Sequence, residues 1–324
     1  MITISLKLNQ LIKTYLHRII TALLICMAML FPLILAQANK QFESVKNILV
    51  IYPESRPAYQ SIYDTIIQGM QNNTQTTLTI TSFNNTTSSS DIEQLITTTN
   101  ASAVIALRQA GKLFAQQLNL DIPLITGAHV LCEAGKASVS LAADPFILFT
   151  RLKHLKPDVK TVYVVHNKQN TQWLIQDAVI TANKLNLNLK VFVADDIKKT
   201  SSLVTKVIDQ AQENTSAIWL PLDPVLPVKI LLPELLRAAW NKNLVIFSNN
   251  PVDVRKGVLF AMYPDYEKMG TQLLDLALAR ISGLKPSRPE PSRHLNSAVN
   301  SRTAMHLGIR TDLNKSNFNL IFPE

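Results

Sequence analysis

Cysteine and glycine are what this chain has least of. It carries 2 cysteines in 324 residues, Cys26 and Cys132. Cys26 falls in an apolar leader, so the remainder holds one thiol and has no internal disulfide available to it. There is no C-x-x-C pair. His129 and Cys132 would offer two metal ligands without partners, which argues against a metal site. The 8 glycines include no G-x-G-x-x-G after an apolar run, which excludes the dinucleotide fingerprint. From Gly127 to Gly135-Lys136 the spacing is too long for a phosphate loop, and Ala137 stands where Ser or Thr would hold magnesium. No G-x-S-x-G elbow is present. His166 ends an apolar run as a polar cap, and nothing picks out the positioned titratable pair that acid–base catalysis needs. These absences point away from an enzyme, a cofactor and a metal.

Positive charge exceeds negative, 32 Lys and Arg against 23 Asp and Glu, for a net charge of +9. Lys7, Lys13 and Arg18 belong to an amino-terminal stretch with no acids, and no dense basic run follows, so nucleic acid is not an expected partner. After Arg18 the segment Ile19–Leu35 is almost wholly apolar, broken by Pro32, and Ala36-Gln37-Ala38 follows. A charged start, an apolar middle and an A-x-A end predict a secretory signal over residues 1–38, cut after Ala38, with the mature protein in the periplasm. The membrane would be touched only through this leader if it stayed uncut. Ile25 before Cys26 is not the small residue a lipoprotein needs.

Beyond the leader, short apolar runs alternate with amphipathic stretches. Strands are expected at Val45–Tyr52, Thr77–Phe83, Ala101–Leu107, Ile122–Ile125 and Ala137–Ala142, with helices over 58–70, 92–98 (N-cap Asp91) and 112–118. A helix from Asp144-Pro145 to Leu155 leads to a second set of strands at Thr161–His166, Leu189–Ala194, Ala217–Leu220, Leu244–Phe247 and Gly257–Met262. Helices over 171–185 and 200–212 belong to this second half, and a helix over 264–282 follows it. Alternation of this kind predicts an α/β fold with parallel sheets, and two successive sets predict two Rossmann-like lobes. Lys285–Arg293 reads as a Pro-rich linker, and the lobe joined by the tail over 295–324 is left open. Ligands of such sheets bind beyond the carboxyl ends of the strands. Asp223, Asn249 and Tyr263 follow apolar runs and fall where a pocket is expected.

The order Asp223, Ser248–Asn250, Gly257, Asp265-Tyr266, Gly270, and then Asn300 through Thr303-Ala304 to Gly308, resembles the TrpX-like substrate-binding proteins of ABC transporters, in the type I periplasmic binding class. The resemblance runs from about Val45 to Gly308. It implies two lobes joined by a hinge that the chain crosses more than once: 45–144 plus 263–283 as lobe I, 145–262 as lobe II, and 284–324 as linker and tail. It also implies a small-molecule ligand, amino acid-like, and an ABC permease or a membrane sensor as partner. One departure is visible. Gly127–Ser140 reads GAHVLCEAGKASVS, shorter and poorer in glycine than the family's segment there.

A ligand shut between lobes must touch both. The candidates from lobe I are Ser55, Arg56 and Tyr59, then Arg108 and Gln109, then Thr126. Lobe II would supply Asn167, Asn170, Thr171, Asp223, Asn249 and Asn250, with Tyr263 at a crossover. Helix amino termini near Tyr59, Gln109 and Thr171 suit a carboxylate, Asp223 an ammonium, and a tyrosine an apolar or aromatic side chain. A sensor module without a transport role is the alternative on the same fold. A hydrolase would need a titratable cluster in the cleft.

Overall fold

The computed structural model describes residues 45–133, 135–284, 288–309 and 316–323. The leader over 1–38 lies outside the described residues. Two sheets organise the rest. The first has the order Glu290–Ser292 (β11), Ser138–Ala143 (β5), Leu124–His129 (β4), Ala103–Leu107 (β3), Lys46–Pro53 (β1), Thr76–Phe83 (β2), and the second Leu320–Phe322 (β13), Leu295–Asn300 (β12), Phe260–Pro264 (β10), Val245–Ser248 (β9), Ser216–Leu220 (β8), Thr161–His166 (β6), Asn188–Val193 (β7).

In the first sheet β1 (Lys46–Pro53), β2 (Thr76–Phe83), β3 (Ala103–Leu107), β4 (Leu124–His129) and β5 (Ser138–Ala143) are joined through α1 (Pro57–Gln71), α2 (Ser89–Thr98) and α3 (Arg108–Ala115). The alternation of a strand explains its layers. Ile48 and Val50 face a core shared with α1, while Leu49 and Ile51 face one shared with α2 and α3. Both faces are covered, so the strand reads as one continuous apolar run.

The second sheet repeats the plan. It uses α4 (Pro145–Leu155), β6 (Thr161–His166), α5 (Lys168–Lys184), β7 (Asn188–Val193), α6 (Ile197–Gln210), β8 (Ser216–Leu220), α7 (Val228–Lys242), β9 (Val245–Ser248), α8 (Pro251–Arg255) and β10 (Phe260–Pro264). Val162, Val164 and Trp219 pack with α4 and α5 on one face; Tyr163, Val165 and Ile218 pack with α6 and α7 on the other.

The chain passes between the sheets three times: from β5 into α4, from β10 into α9 (Tyr266–Ile281), and from β11 (Glu290–Ser292) into β12 (Leu295–Asn300). α9 returns to the first core, where Met269, Leu273 and Leu274 join Ile48 and Val50. Its contact with α1 is backbone to backbone. A Cβ on Gly270 would stand 1.9 Å from the Ile66 carbonyl oxygen, and one on Gly69 1.8 Å from that of Glu267. The crossings are tied together: Asp144 N–H donates to the Ser292 carbonyl at 3.0 Å, Asp265 N–H to that of His294 at 3.0 Å, and the Gln272 amide to that of Pro291 at 3.0 Å.

Several expectations are corrected. The cap of α2 is Ser88, with Asp91 closing a capping box three residues on. α3, α5 and α6 begin earlier than expected, at Arg108, Lys168 and Ile197. β4 continues past Ile125, so Thr126 lies within a strand and not at its exit, and β10 likewise takes in Tyr263. The expected linker over 285–293 contains β11, which extends the first sheet parallel to β5. Pro291 is tolerated there because β11 is an edge strand. The tail divides: β12 pairs antiparallel with β10, α10 (Ser301–His306) follows, and β13 (Leu320–Phe322) closes the edge of the second sheet.

Candidate functional site

At the carboxyl end of β3 the chain turns directly into α3, and Arg108 takes φ +64°, a left-handed conformation that a non-glycine residue adopts at a cost. The turn sets its guanidinium 4.6 Å from the centre of the Tyr59 ring and lets Nη1 donate to Tyr63 Oη at 3.2 Å. The Ser55 hydroxyl meets the same phenol at 3.2 Å, and the Tyr52 ring lies 5.1 Å from that of Tyr63. Tyr59, Tyr63 and Arg108 wall a pocket of about 120 Å³, completed by Ile62, Ala128, Leu141 and Tyr266. Ala128 is also left-handed, at φ +55°. Tyr59 is 49% exposed, and the Gln109 side-chain oxygen is buried without a hydrogen-bond partner among the described residues. The result is an arginine backed by tyrosines at a strand end, with donor capacity to spare.

Thus Ser55, Tyr59 and Arg108 are brought together. Arg56 precedes α1 as its cap residue, exposed and without a capping side-chain bond. Thr126 stands apart and buried, its hydroxyl 2.9 Å from His129 Nε2. His129 Nδ1 lies 3.7 Å from the Cys132 sulfur. Burial first, and then the charge of Lys112, hold this imidazole down to about 4. Burial also raises the Cys132 thiol. Among the described residues no group of three or more His, Cys, Asp or Glu is placed to hold a metal ion.

The second sheet builds a different edge. Asn167 caps α5, its side-chain oxygen accepting from Gln169 N–H at 2.9 Å and Asn170 N–H at 3.3 Å. The Asp223 carboxylate accepts from Asn167 N–H at 2.8 Å, the Thr171 hydroxyl at 2.8 Å, Val225 N–H at 3.1 Å and the Asn170 amide at 3.4 Å. Four of the predicted residues therefore form one network, but its bonds are made within the chain. His166 adjoins it through Nδ1, 3.1 Å from the Thr171 hydroxyl, while its Nε2 is buried without a partner among the described residues. Burial lowers the pKa of His166, and the Asp223 charge partly opposes that.

Asn249 and Asn250 lie outside this network. Asn249 is buried, accepting from Trp219 Nε1 at 3.1 Å and donating to the Met262 carbonyl at 3.4 Å. Asn250 caps α8 through Val252 N–H at 3.0 Å. Tyr263 is half-buried in β10, its phenol pushed up by burial and then by Tyr266. Sequence reasoning missed Tyr52, Tyr63 and Tyr266. A signal existed for Tyr63, four residues after Tyr59 and so on the same helix face.

Solved structures share this architecture. A conserved domain protein from Vibrio cholerae is 15% identical, covering 86% of this chain and 100% of its own, with a TM-score of 0.51. An ABC domain from Streptococcus pneumonia, in complex with L-Trp, is 17% identical over 86% of this chain and 100% of its own, with a TM-score of 0.50. A substrate-binding protein with adhesive properties from Clostridium difficile, in its ligand-free, open form, is 17% identical over 85% and 99%, with a TM-score of 0.57. At such identities the likeness establishes the type I periplasmic binding fold alone. No curated protein matches the sequence. The model of one family, the ABC transporter substrate binding proteins, matches residues 147–316. With more than half of its length matched, the chain belongs to the ABC transporter substrate binding protein family.

Proposed function

We propose that the protein is an exported receptor that takes a small, carboxylate-bearing, amino acid-like molecule between its lobes and passes it to an ABC importer. The observation that carries this is the Arg108 guanidinium, braced by Tyr59 and Tyr63 at the mouth of a small pocket, with φ +64° holding it there. Backbone strain kept at a strand end fits a residue placed for a ligand. On this reading Arg108 receives the carboxylate, Tyr59 and Tyr266 cover the apolar body, and Ser55, Arg56 and Gln109 complete the first wall. The second lobe closes down with Asn170, while Asp223, Asn167 and Thr171 hold that turn in shape. Thr126, Asn249, Asn250 and Tyr263 support the two walls from behind. The leader delivers the chain to the periplasm, and the family supplies the expectation of a permease.

The test is a thermal-shift screen of the protein lacking residues 1–38 against amino acids, purines and small organic acids, L-Trp included because a structural neighbour holds it. A ligand at a hundred times its Kd stabilises the native state by about 2.7 kcal/mol, an easily read rise in Tm. Flat melts throughout, on well-folded protein, would overturn the transport reading.

A further inference from the structure

A second cavity lies at the opposite edge of the second sheet. It opens where β9 and β10 begin, beside Leu244, Gly257 and Leu259, and where the antiparallel β12 ends at Asn300. Asn167, Asp223 and Asn249 stand at the other edge, so this cavity is separate from the proposed cleft. Its volume is about 330 Å³, within the usual range for small-molecule sites.

The body of the cavity is apolar, with Leu236, Ala239, Leu244, Ile246 and Leu259 lining it. One wall is the indole of Trp240, 54% exposed and yet held in place. The His306 ring stacks on it at 3.6 Å and 9°, and His306 Nε2 bonds to the Trp240 carbonyl at 3.0 Å. Gly257 forms another wall at φ +124°, where a Cβ would crowd Leu236 at 3.3 Å. Arg255, Lys256 and Arg302 also line the cavity, and among the described residues no acid does. All three are exposed, and none is in an ion pair among the described residues. Arg255 is steadied over the Phe322 ring at 5.1 Å.

An apolar body with a purely cationic mouth selects an amphipathic anion. We propose that this cavity is a second ligand site, for a soluble organic acid with a medium-length chain or an aromatic body. The apolar part lies against Trp240 and Leu236, and the carboxylate lies among Arg255, Lys256 and Arg302.

Octanoate is the probe, with 1-octanol and octylammonium as uncharged and cationic counterparts. Trp240 is the one exposed indole of the chain's three, Trp173 and Trp219 being buried. Octanoate is expected to change its emission saturably, and Trp240→Phe to abolish that change while calorimetry still registers binding. The double variant Arg255→Glu, Arg302→Glu should weaken octanoate about tenfold, equivalent to ~1.4 kcal/mol, and leave 1-octanol unaffected. Both substitutions are at exposed positions, and melting curves confirm folding. Absence of an octanoate response, equal binding of all three probes, or indifference to the charge reversal would overturn the proposal. So would co-sedimentation with phosphatidylglycerol vesicles without octanoate binding, which would make this face a membrane contact.

Discussion

The carboxyl edges of the two sheets are built from similar residues and are spent differently. In the first lobe Arg108 and Tyr59 keep donor capacity and ring surface turned to a pocket, and the cost appears as left-handed backbone at Arg108 and Ala128. In the second, Asp223 gathers four donors from its own chain, and His166 Nε2 beside it is buried without a partner among the described residues. One edge stores strain, and the other is satisfied. The lesson is that a polar residue at a strand end is informative about a ligand only once its own bonds have been counted.

That contrast can be broken by mutation. The largest effect is expected from Asp223→Ala, which leaves the Asn167 and Val225 N–H groups and the Asn170 amide without this acceptor, while the Thr171 hydroxyl keeps the Asn167 carbonyl at 3.1 Å. Urea melts should show a loss of about 3 kcal/mol, at roughly 1 kcal/mol or more for each orphaned group. A loss below about 1 kcal/mol would mean that the second edge is not the closed network described.

Next is acid sensitivity. His129 in the first lobe is buried and held down to about 4. Its neutral form belongs to the native state, so the stabilising contribution is complete above about pH 6.5, where the unfolded imidazole is neutral too. It is lost as pH falls toward 4, by about 3 kcal/mol. His129→Gln should flatten that part of the stability–pH curve. His166 acts in the same direction, with Asp223 opposing it, so His166→Gln should flatten the curve less.

Arg108→Ala should act on binding and spare the fold. Affinity for whichever ligand the screen identifies should fall about a hundredfold, ~2.7 kcal/mol, with Tm little changed, because alanine keeps the left-handed backbone and its cost. The smallest effect is expected for Tyr59→Ala, a few-fold loss of affinity matching the ~0.5–1 kcal/mol of an exposed cation–π contact. If Tyr59→Ala outweighed Arg108→Ala, the aromatic body of the ligand and not its carboxylate would be the anchor.

The architecture was legible because both faces of each sheet are covered, which writes β1, β6, β8 and β9 as unbroken apolar runs. What the sequence hid were elements whose composition argues against them. β11 contains Pro291 and survives as an edge, and β12 is Leu-Asn-Ser-Ala-Val-Asn, polar enough to pass for a loop. In the site, Tyr59 and Arg108 could be found from position alone. The inward turn of Asn249 could not, because it depends on Trp219, 30 residues away in sequence. Thr126 and Tyr263 were misplaced for a simpler reason: their strands run one or more residues past the last strongly apolar position.

The two glycine contacts between α1 and α9 bear on the order in which the molecule can be made. Gly69 and Gly270 meet across some two hundred residues, and the segment between them includes β6 to β10 of the second sheet. A ribosome that has finished β5 has therefore released a first lobe that lacks its closing helix, with Ile66 and Met70 uncovered on that side. The amino-terminal half must wait for the carboxyl-terminal half, and such long-range closure slows folding. Under the export proposed above, that delay would keep the chain open for its passage across the membrane.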